Sequence, residues 1–177
     1  MRVISGKYKG KKLEGFTING TRPTMDRVKE SLFGMIQTKV YDSECLDLFA
    51  GSGALGLESL SNGAKTCYFV DHNPKVIKVL KQNLANIENA YILDIDYKIA
   101  LEKFHSQKIQ FDIIFLDPPY DNHFISSAIA KIEKYSLLKP NGILICEYTD
   151  EKIECNLAIY KEKKYNDKNI CIYINET

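Results

Sequence analysis

A chain of 177 residues, 45% hydrophobic and 27% charged, can bury one good core, which implies a single domain with at most a small appendage. No apolar run approaches the roughly 20 residues that span a bilayer, and Met1-Arg2-Val3-Ile4-Ser5-Gly6-Lys7 is not a signal peptide, so a soluble cytoplasmic protein is expected. The net charge of +1 is unevenly spread: residues 1–39 carry nine Lys or Arg against three acids, +6, and residues 40–177 carry fifteen against twenty, −5. A basic N-terminus points to a polyanion bound there, against the plainer reading of a solvated tail. Cys45, Cys67, Cys146, Cys155 and Cys171 never occur as C-x-x-C and are expected as reduced core residues, not as metal ligands or disulfides.

In chain order, residues 2–6 and 11–16 read as two short strands of a basic hairpin, an extension over residues 1–20 ahead of one domain at 21–177. Arg2, Lys7, Lys9, Lys11 and Lys12 offer cations to phosphates, and Tyr8 offers a stacking face. Thr21-Arg22-Pro23-Thr24 breaks the chain. Thr24 is placed to cap a helix running to about residue 38, with Asp26 in its first turn. Met25, Val28, Leu32 and Met35 or Ile36 recur at helical spacing and form its core face. Arg22, Arg27 and Lys29 then stay off that face, as solubilising cations or, for Arg22 and Arg27, as the lining of an approach to the active site.

The rest is organised around residues 45–58, Cys-Leu-Asp-Leu-Phe-Ala-Gly-Ser-Gly-Ala-Leu-Gly-Leu-Glu. Leu46, Leu48 and Phe49 read as a short buried strand, Gly51, Ser52 and Gly53 as a tight turn, and residues 54–60 as the opening of a helix. Such a turn lets a ligand approach the main chain and aims N–H groups at it, which makes a nucleotide cradle. By itself Gly51-x-Gly53-x-x-Gly56 fits a nicotinamide-dependent dehydrogenase equally well. Residues 65–70 form the second strand and end on Asp71, placed to accept hydrogen bonds from ribose hydroxyls. Asn73-Pro74 starts a helix with Val76, Ile77, Leu80 and Leu84 on its buried face. Residues 91–93 are a third strand, followed by Asp94, Asp96 and a helix over 97–104. Asp96 either accepts from the adenine amine, with Ile95 or Tyr97 beside the ring, or caps that helix.

Residues 111–116 are apolar almost throughout and read as a central strand of a parallel sheet. Asp117-Pro118-Pro119-Tyr120 ends it on the edge that carries the glycine loop. A carboxylate beside a carbonyl stiffened by two prolines supplies acceptors for both hydrogens of a planar NH2 group, and Tyr120 supplies a face for the ring that bears it. A dehydrogenase leaves this turn without a role. Residues 124–138 read as a helix, Lys139-Pro140-Asn141-Gly142 as a turn, 143–148 as a fifth strand, and segments near 156–160 and 170–174 complete the sheet. His72, His105 and His123 show no metal-ligand spacing. Together the two sites describe transfer to an amine from a cofactor bearing adenine and ribose. A sulfonium donor, S-adenosylmethionine, would need no metal, because its charge already activates the methyl group.

The chain resembles the bacterial 16S rRNA guanine-N2 methyltransferases. The resemblance rests on Arg2-Val3-Ile4-x-Gly6-Lys7-x-x-Gly10-x-x-Leu13, Thr21-Arg22-Pro23-Thr24, Asp26-Arg27-Val28-x-Glu30-x-Leu32-Phe33, the glycine stretch and Asp117-Pro118-Pro119-Tyr120. It implies an α/β, Rossmann-like class I fold with a seven-stranded, mostly parallel sheet whose last strand is antiparallel, and S-adenosylmethionine as cofactor. The implied substrate is a guanine amine in 16S rRNA of the small ribosomal subunit, handled by a monomer without metal. By position, Asp47, Gly51 and Gly53 would hold the methionine end, with Phe49, Ala50 and Ser52 also among the residues that bind the cofactor. Asp71 would hold the ribose, with His72, Asp96 and Tyr97 completing the cofactor set. Asp117, Pro118, Pro119 and Tyr120 would hold the target base, and Arg2, Lys7, Tyr8, Lys9, Lys11, Lys12, Arg22, Thr24 and Arg27 the RNA. Gly34, Asn62 and Asn166 depart from the family pattern without touching this chemistry. Rival readings are a DNA adenine-N6 methyltransferase and a non-catalytic RNA-binding assembly factor.

Overall fold

Strand and helix periods alternate along most of the chain, and a strand followed by a helix and another strand returns parallel to the first. The computed structural model describes residues 1–16, 26–119, 124–166 and 168–177. Its elements are α1 (Asp26–Val40), β1 (Glu44–Asp47), α2 (Ala54–Ser61), β2 (Thr66–Asp71), α3 (Pro74–Asn83), β3 (Ala90–Asp94), α4 (Tyr97–Ser106), β4 (Phe111–Leu116), α5 (Phe124–Lys134), β5 (Leu138–Tyr148), β6 (Ala158–Lys164) and β7 (Asn169–Ile174). One sheet runs in the order β3-β2-β1-β4-β5-β7-β6. The strands from β3 to β5 pair in parallel, and β7 is antiparallel to both β5 and β6. The expected seven-stranded architecture with an antiparallel last strand is therefore the one observed.

The sheet has apolar side chains on both faces, as a buried parallel sheet must. On one face Cys45, Cys67, Phe115 and Ile145 pack with Leu32 and Ile36 of α1, Leu57 of α2 and Leu80 of α3. On the other, Leu46, Ile114, Leu116 and Leu144 pack with Leu101 and Phe104 of α4 and Ile129 and Ile132 of α5. All five cysteines are free, and Cys45, Cys67, Cys146 and Cys171 are buried. Among the described residues no helix is long and apolar enough to cross a membrane, and no group of three or more His, Cys, Asp or Glu is arranged to hold a metal ion.

Three local expectations are corrected. The N-terminal hairpin is shorter than expected: residues 1–3 pair antiparallel with 11–13, through the Arg2–Lys12 bridge and the bonds from Val3 N–H to Lys11 O and from Leu13 N–H to Met1 O, while Gly6 and Gly10 turn at positive φ and Glu58 takes the N–H groups of Ile4 and Ser5. A side chain at Gly6 would place its Cβ 1.9 Å from the Ser61 carbonyl oxygen, so the close approach to α2 requires glycine there. Lys29 is not a surface cation: it is fully buried, 3.1 Å from Glu58, and donates to the Arg2 carbonyl at 2.7 Å. Finally, α5 stops at Lys134 and β5 begins at Leu138, before the Lys139-Pro140-Asn141-Gly142 segment. Ser136 at positive φ closes the helix, and Leu138 is drawn into register opposite Phe111. The Thr24 cap, Met25 and Thr21-Arg22-Pro23 lie outside the described residues.

Candidate functional site

In the sheet order, β1 is flanked by β2 on one side and β4 on the other, so the chain reverses its direction of winding between β1 and β4. Open α/β sheets bind ligands at that reversal, beyond the carboxyl ends of the strands. Asp47 ends β1 and Asp71 ends β2; Asp94, at the end of β3, lies opposite Asp71, and Asp117 follows β4. The topology thus gathers the glycine loop, Asp71 and Asp117, widely separated in sequence, at one edge.

The loop after β1 is built by backbone that few side chains tolerate. Gly51 and Gly53 have φ of 56° and 85°. A Cβ on Gly53 would meet Leu80 at 2.8 Å, and one on Gly56 would meet Phe69 at 2.3 Å, so Gly53 lets α3 come close to the turn and Gly56 lets α2 pack closely on β2. Gly51 donates its N–H to Asp71 Oδ2 at 3.1 Å, and Asp71 Oδ1 accepts from His72 and Asn73. Asp71 is therefore fixed in place by the loop it was expected to work beside, and His72 is exposed next to it. Ala50 and Ser52 are buried, and Phe49 is half-buried.

Asp47 lies under the loop, 1% exposed, and its Oδ2 accepts from the Gly56 N–H at 3.0 Å. Burial pushes its carboxyl well above the ordinary value, the Gly56 N–H opposes that, and the charges of Asp117 and Asp71 push it further up. Its visible work is to tie the start of α2 to β1. Of the two roles open to Asp96, the structure displays the cap: it is the N-cap of α4, accepting from the Lys98 N–H at 2.8 Å. Tyr97 is buried, donates to Ser127 Oγ at 3.1 Å, and meets Phe49 at 5.1 Å and Phe124 at 5.6 Å between ring centroids. Phe49 and Phe124 stack at 5.8 Å, which gives this edge an aromatic wall. Pro118 and Pro119 are half-buried; Tyr120 and His123 lie outside the described residues.

Residues that pattern reading does not single out complete the site. Asn83, at the end of α3, accepts from the Glu14 N–H and donates to the carbonyls of Glu14 and Ser52, clamping the N-terminal segment onto the glycine loop. The Phe16 ring lies 3.3 Å from where a Cβ on Gly51 would stand. Phe124 opens α5 and contributes to the aromatic wall; Glu147 and Lys168 form a buried pair behind Asp117. A lone Asn at the end of an amphipathic helix and a Glu inside an apolar strand are the only sequence signals these residues give.

Of the RNA candidates, Arg2, Lys7, Lys9, Lys12 and Arg27 are exposed, and Lys11 and Tyr8 are half-buried. Tyr8 packs partly against the core, with Lys7 Nζ 5.4 Å from its ring centre. Lys7 also pairs with Glu88 at 3.5 Å. The segment is fixed to α2 through Lys7 N–H to Ser61 O, Tyr8 N–H to Ser61 Oγ and Ser61 Oγ to Ser5 O. Arg22 and Thr24 lie outside the described residues.

A family model described as "Conserved hypothetical protein 95" matches residues 1–174. The ribosomal RNA small subunit methyltransferase D of Haemophilus influenzae is 36% identical, with 99% of this chain and 94% of that protein covered. A solved structure of Escherichia coli yhhF, described as a methyltransferase, superposes with a TM-score of 0.84 at 32% identity, covering 99% of this chain and 98% of that one. A more distant structure, SMU.776, was solved with S-adenosylhomocysteine; it shares the fold at TM-score 0.67 and 14% identity over 84% of this chain and 48% of that one.

Proposed function

The chain belongs to the Conserved hypothetical protein 95 family, and on that premise we propose that it methylates the exocyclic N2 amine of a guanine in 16S rRNA of the small ribosomal subunit. The donor is S-adenosylmethionine, which supplies a methyl group already activated by the sulfonium charge. The residues present fit it: the positive-φ turn at Gly51 and Gly53 admits a ligand against main chain, Asp71 offers carboxylate oxygens to a ribose diol, and Phe49, Tyr97 and Phe124 provide an apolar wall for adenine.

The observation that carries the reading is Asp117 at the end of β4, across the β1/β4 reversal from the glycine loop. Its carboxylate accepts from the guanine amine, holds the nitrogen toward the donor and stabilises the positive charge that develops there. The amine then loses a proton to solvent. A guanine in folded RNA has to leave its stack to reach this edge, at a cost of a few kcal/mol. A substrate in the small ribosomal subunit means that the protein works in the cytoplasm.

The test is transfer of labelled methyl from S-adenosylmethionine to small subunits lacking this modification, with naked rRNA and duplex DNA in parallel, followed by nucleoside analysis. N2-methylguanosine is expected, and its yield on subunits against naked RNA identifies the preferred substrate. Label only in N6-methyladenine would replace the reading by a DNA enzyme. An Asp117→Ala chain that still binds RNA is expected to lose transfer by roughly 10²–10³-fold, and unchanged modification would refute the role given to Asp117.

A further inference from the structure

Glu147 is a buried acid at this edge that methyl transfer by Asp117 leaves without a task. β5 lies parallel beside β4 with Cys146 opposite Leu116, so the next residues along, Glu147 near the end of β5 and Asp117 just after β4, follow side by side. Glu147 is 3% exposed, and its Oε2 accepts from the buried Lys168, in the turn between β6 and β7, at 2.8 Å. Its Oε1 is buried and meets no donor among the described residues, while the Asp117 carboxyl lies within hydrogen-bonding reach of the same group. Two ionised carboxyls have no donor between them. Acceptor facing acceptor in a buried place is relieved only when one acid keeps its proton.

Glu147 is the one that keeps it. Burial, then the charge of Asp117, raise its carboxyl to about 8, with Lys168 acting in the opposite direction. The charged groups of the neighbouring elements are engaged elsewhere or exposed. On α1, Asp26 accepts from the Arg2 N–H, Lys29 is committed to Glu58, and Arg27 and Glu30 are exposed. On β6, Lys163 donates to Ser31 Oγ. On β1, Asp47 is buried, its carboxyl held well above the ordinary value by burial and pushed further up by the charge of Asp117.

We propose that Glu147 is a positioning residue for methyl transfer: it donates its carboxyl O–H to the Asp117 carboxylate while Lys168 fixes its other oxygen, and so holds Asp117 ionised and oriented to accept from the substrate amine. This rests on the reading of Asp117 as the amine acceptor. The arrangement divides the labour between two acids, one that faces the base and one that aims it.

Two measurements on the full chain test it. In pH profiles of methyl transfer, Glu147→Gln keeps a donor and cannot ionise; it is expected to work at pH 7 within about threefold of the unaltered chain and to lose the alkaline fall centred near the Glu147 transition. Glu147→Ala is expected to lose roughly a hundredfold. A Gln variant as inactive as the Ala variant, or one that retains the same alkaline fall, overturns the proposal. The second measurement follows the Glu147 carboxyl carbon by NMR, assigned by its absence from the Gln variant. It is expected to titrate near 8 and to move down in Asp117→Asn. A Glu147 carboxyl already ionised at neutral pH overturns the proposal. This titration needs neither RNA nor donor, so if no RNA accepts methyl, the functional reading falls while the carboxyl pair is still decided.

Discussion

Two buried Lys–Glu pairs among the described residues look alike in composition and differ in what surrounds them. Lys29–Glu58, where α1 meets α2, has side chains 0% and 1% exposed; Lys168–Glu147, behind Asp117, has side chains 8% and 1% exposed. Around Glu58 every oxygen meets donors: the N–H groups of Ile4 and Ser5, Ser5 Oγ and Asn62 Nδ2, with Lys29 itself also bound to the Arg2 carbonyl. Around Glu147 one oxygen meets Lys168 and the other meets no donor among the described residues, with Asp117 alongside. A buried charge needs both a partner and hydrogen bonds on its remaining lone pairs. The first pair has them and latches the N-terminal segment to the domain. The second lacks them and retains a proton instead, which makes it sensitive to pH.

Breaking the first pair gives the largest expected effect. Glu58→Ala leaves the Lys29 ammonium and the backbone donors of residues 4 and 5 uncompensated, and thermal or urea unfolding is expected to show a loss of about 3–5 kcal/mol. Replacing Lys29 and Glu58 together by apolar residues of similar size should cost much less than Glu58→Ala alone. A double variant as damaged as the single one would mean that the latch works through something other than charge.

The second pair is sharpened by pH. The Glu147 carboxyl is higher in the folded chain, at about 8, than its ordinary 4.5, so the folded state binds the extra proton. Its contribution to stability is full below about 4.5 and is lost as pH rises through about 8. Unfolding followed across that window should show stability falling with pH, and Glu147→Gln should flatten the fall. Lys168→Met should leave stability nearly unchanged on the acid side and lower it on the alkaline side, where Glu147 is then ionised without its cation.

Smaller effects test what the latch positions. Asn83→Ala removes the clamp between Glu14 and Ser52 and leaves the buried Ser52 carbonyl without this donor, at an expected cost of about 1–3 kcal/mol, with weaker binding of S-adenosylmethionine in calorimetry. Removing cations from Lys7, Lys9, Lys11 and Lys12 should leave unfolding unchanged while reducing the salt dependence of RNA binding by a log–log slope of about 0.7 for each phosphate left without its cation. An unaltered slope would show that the exposed cations of this segment do not meet RNA.

Much of the site is legible in the sequence because its devices are local. A turn that needs positive φ shows itself as Gly51 and Gly53, and a strand that ends in a stiff acceptor shows itself as Asp117-Pro118-Pro119. Lys29 is not legible in this way, because helical spacing gives a side chain its direction and cannot show that Glu58 waits there on another helix. The hairpin is shortened for a related reason: alternation in residues 2–16 fits strand pairing, but only residues 1–3 and 11–13 pair, and the N–H groups of Ile4 and Ser5 are taken by Glu58. Glu147 gives almost no signal, since a single acid at the end of an apolar run reads as the place where a strand reaches solvent.

The sequence by itself determined the alternation of strands and helices, the two apolar faces of the sheet, the glycine cradle, and the acids at the strand ends, because periodicity and backbone demands are written in neighbouring residues. Only the tertiary structure decided which acids stand together. The reversal between β1 and β4 brings Asp117 to the cradle, the pairing of β4 with β5 sets Glu147 beside it, and the turn after β6 delivers Lys168. Charge acts through space, and the protonation of a buried acid depends on neighbours that the chain supplies from far along its length.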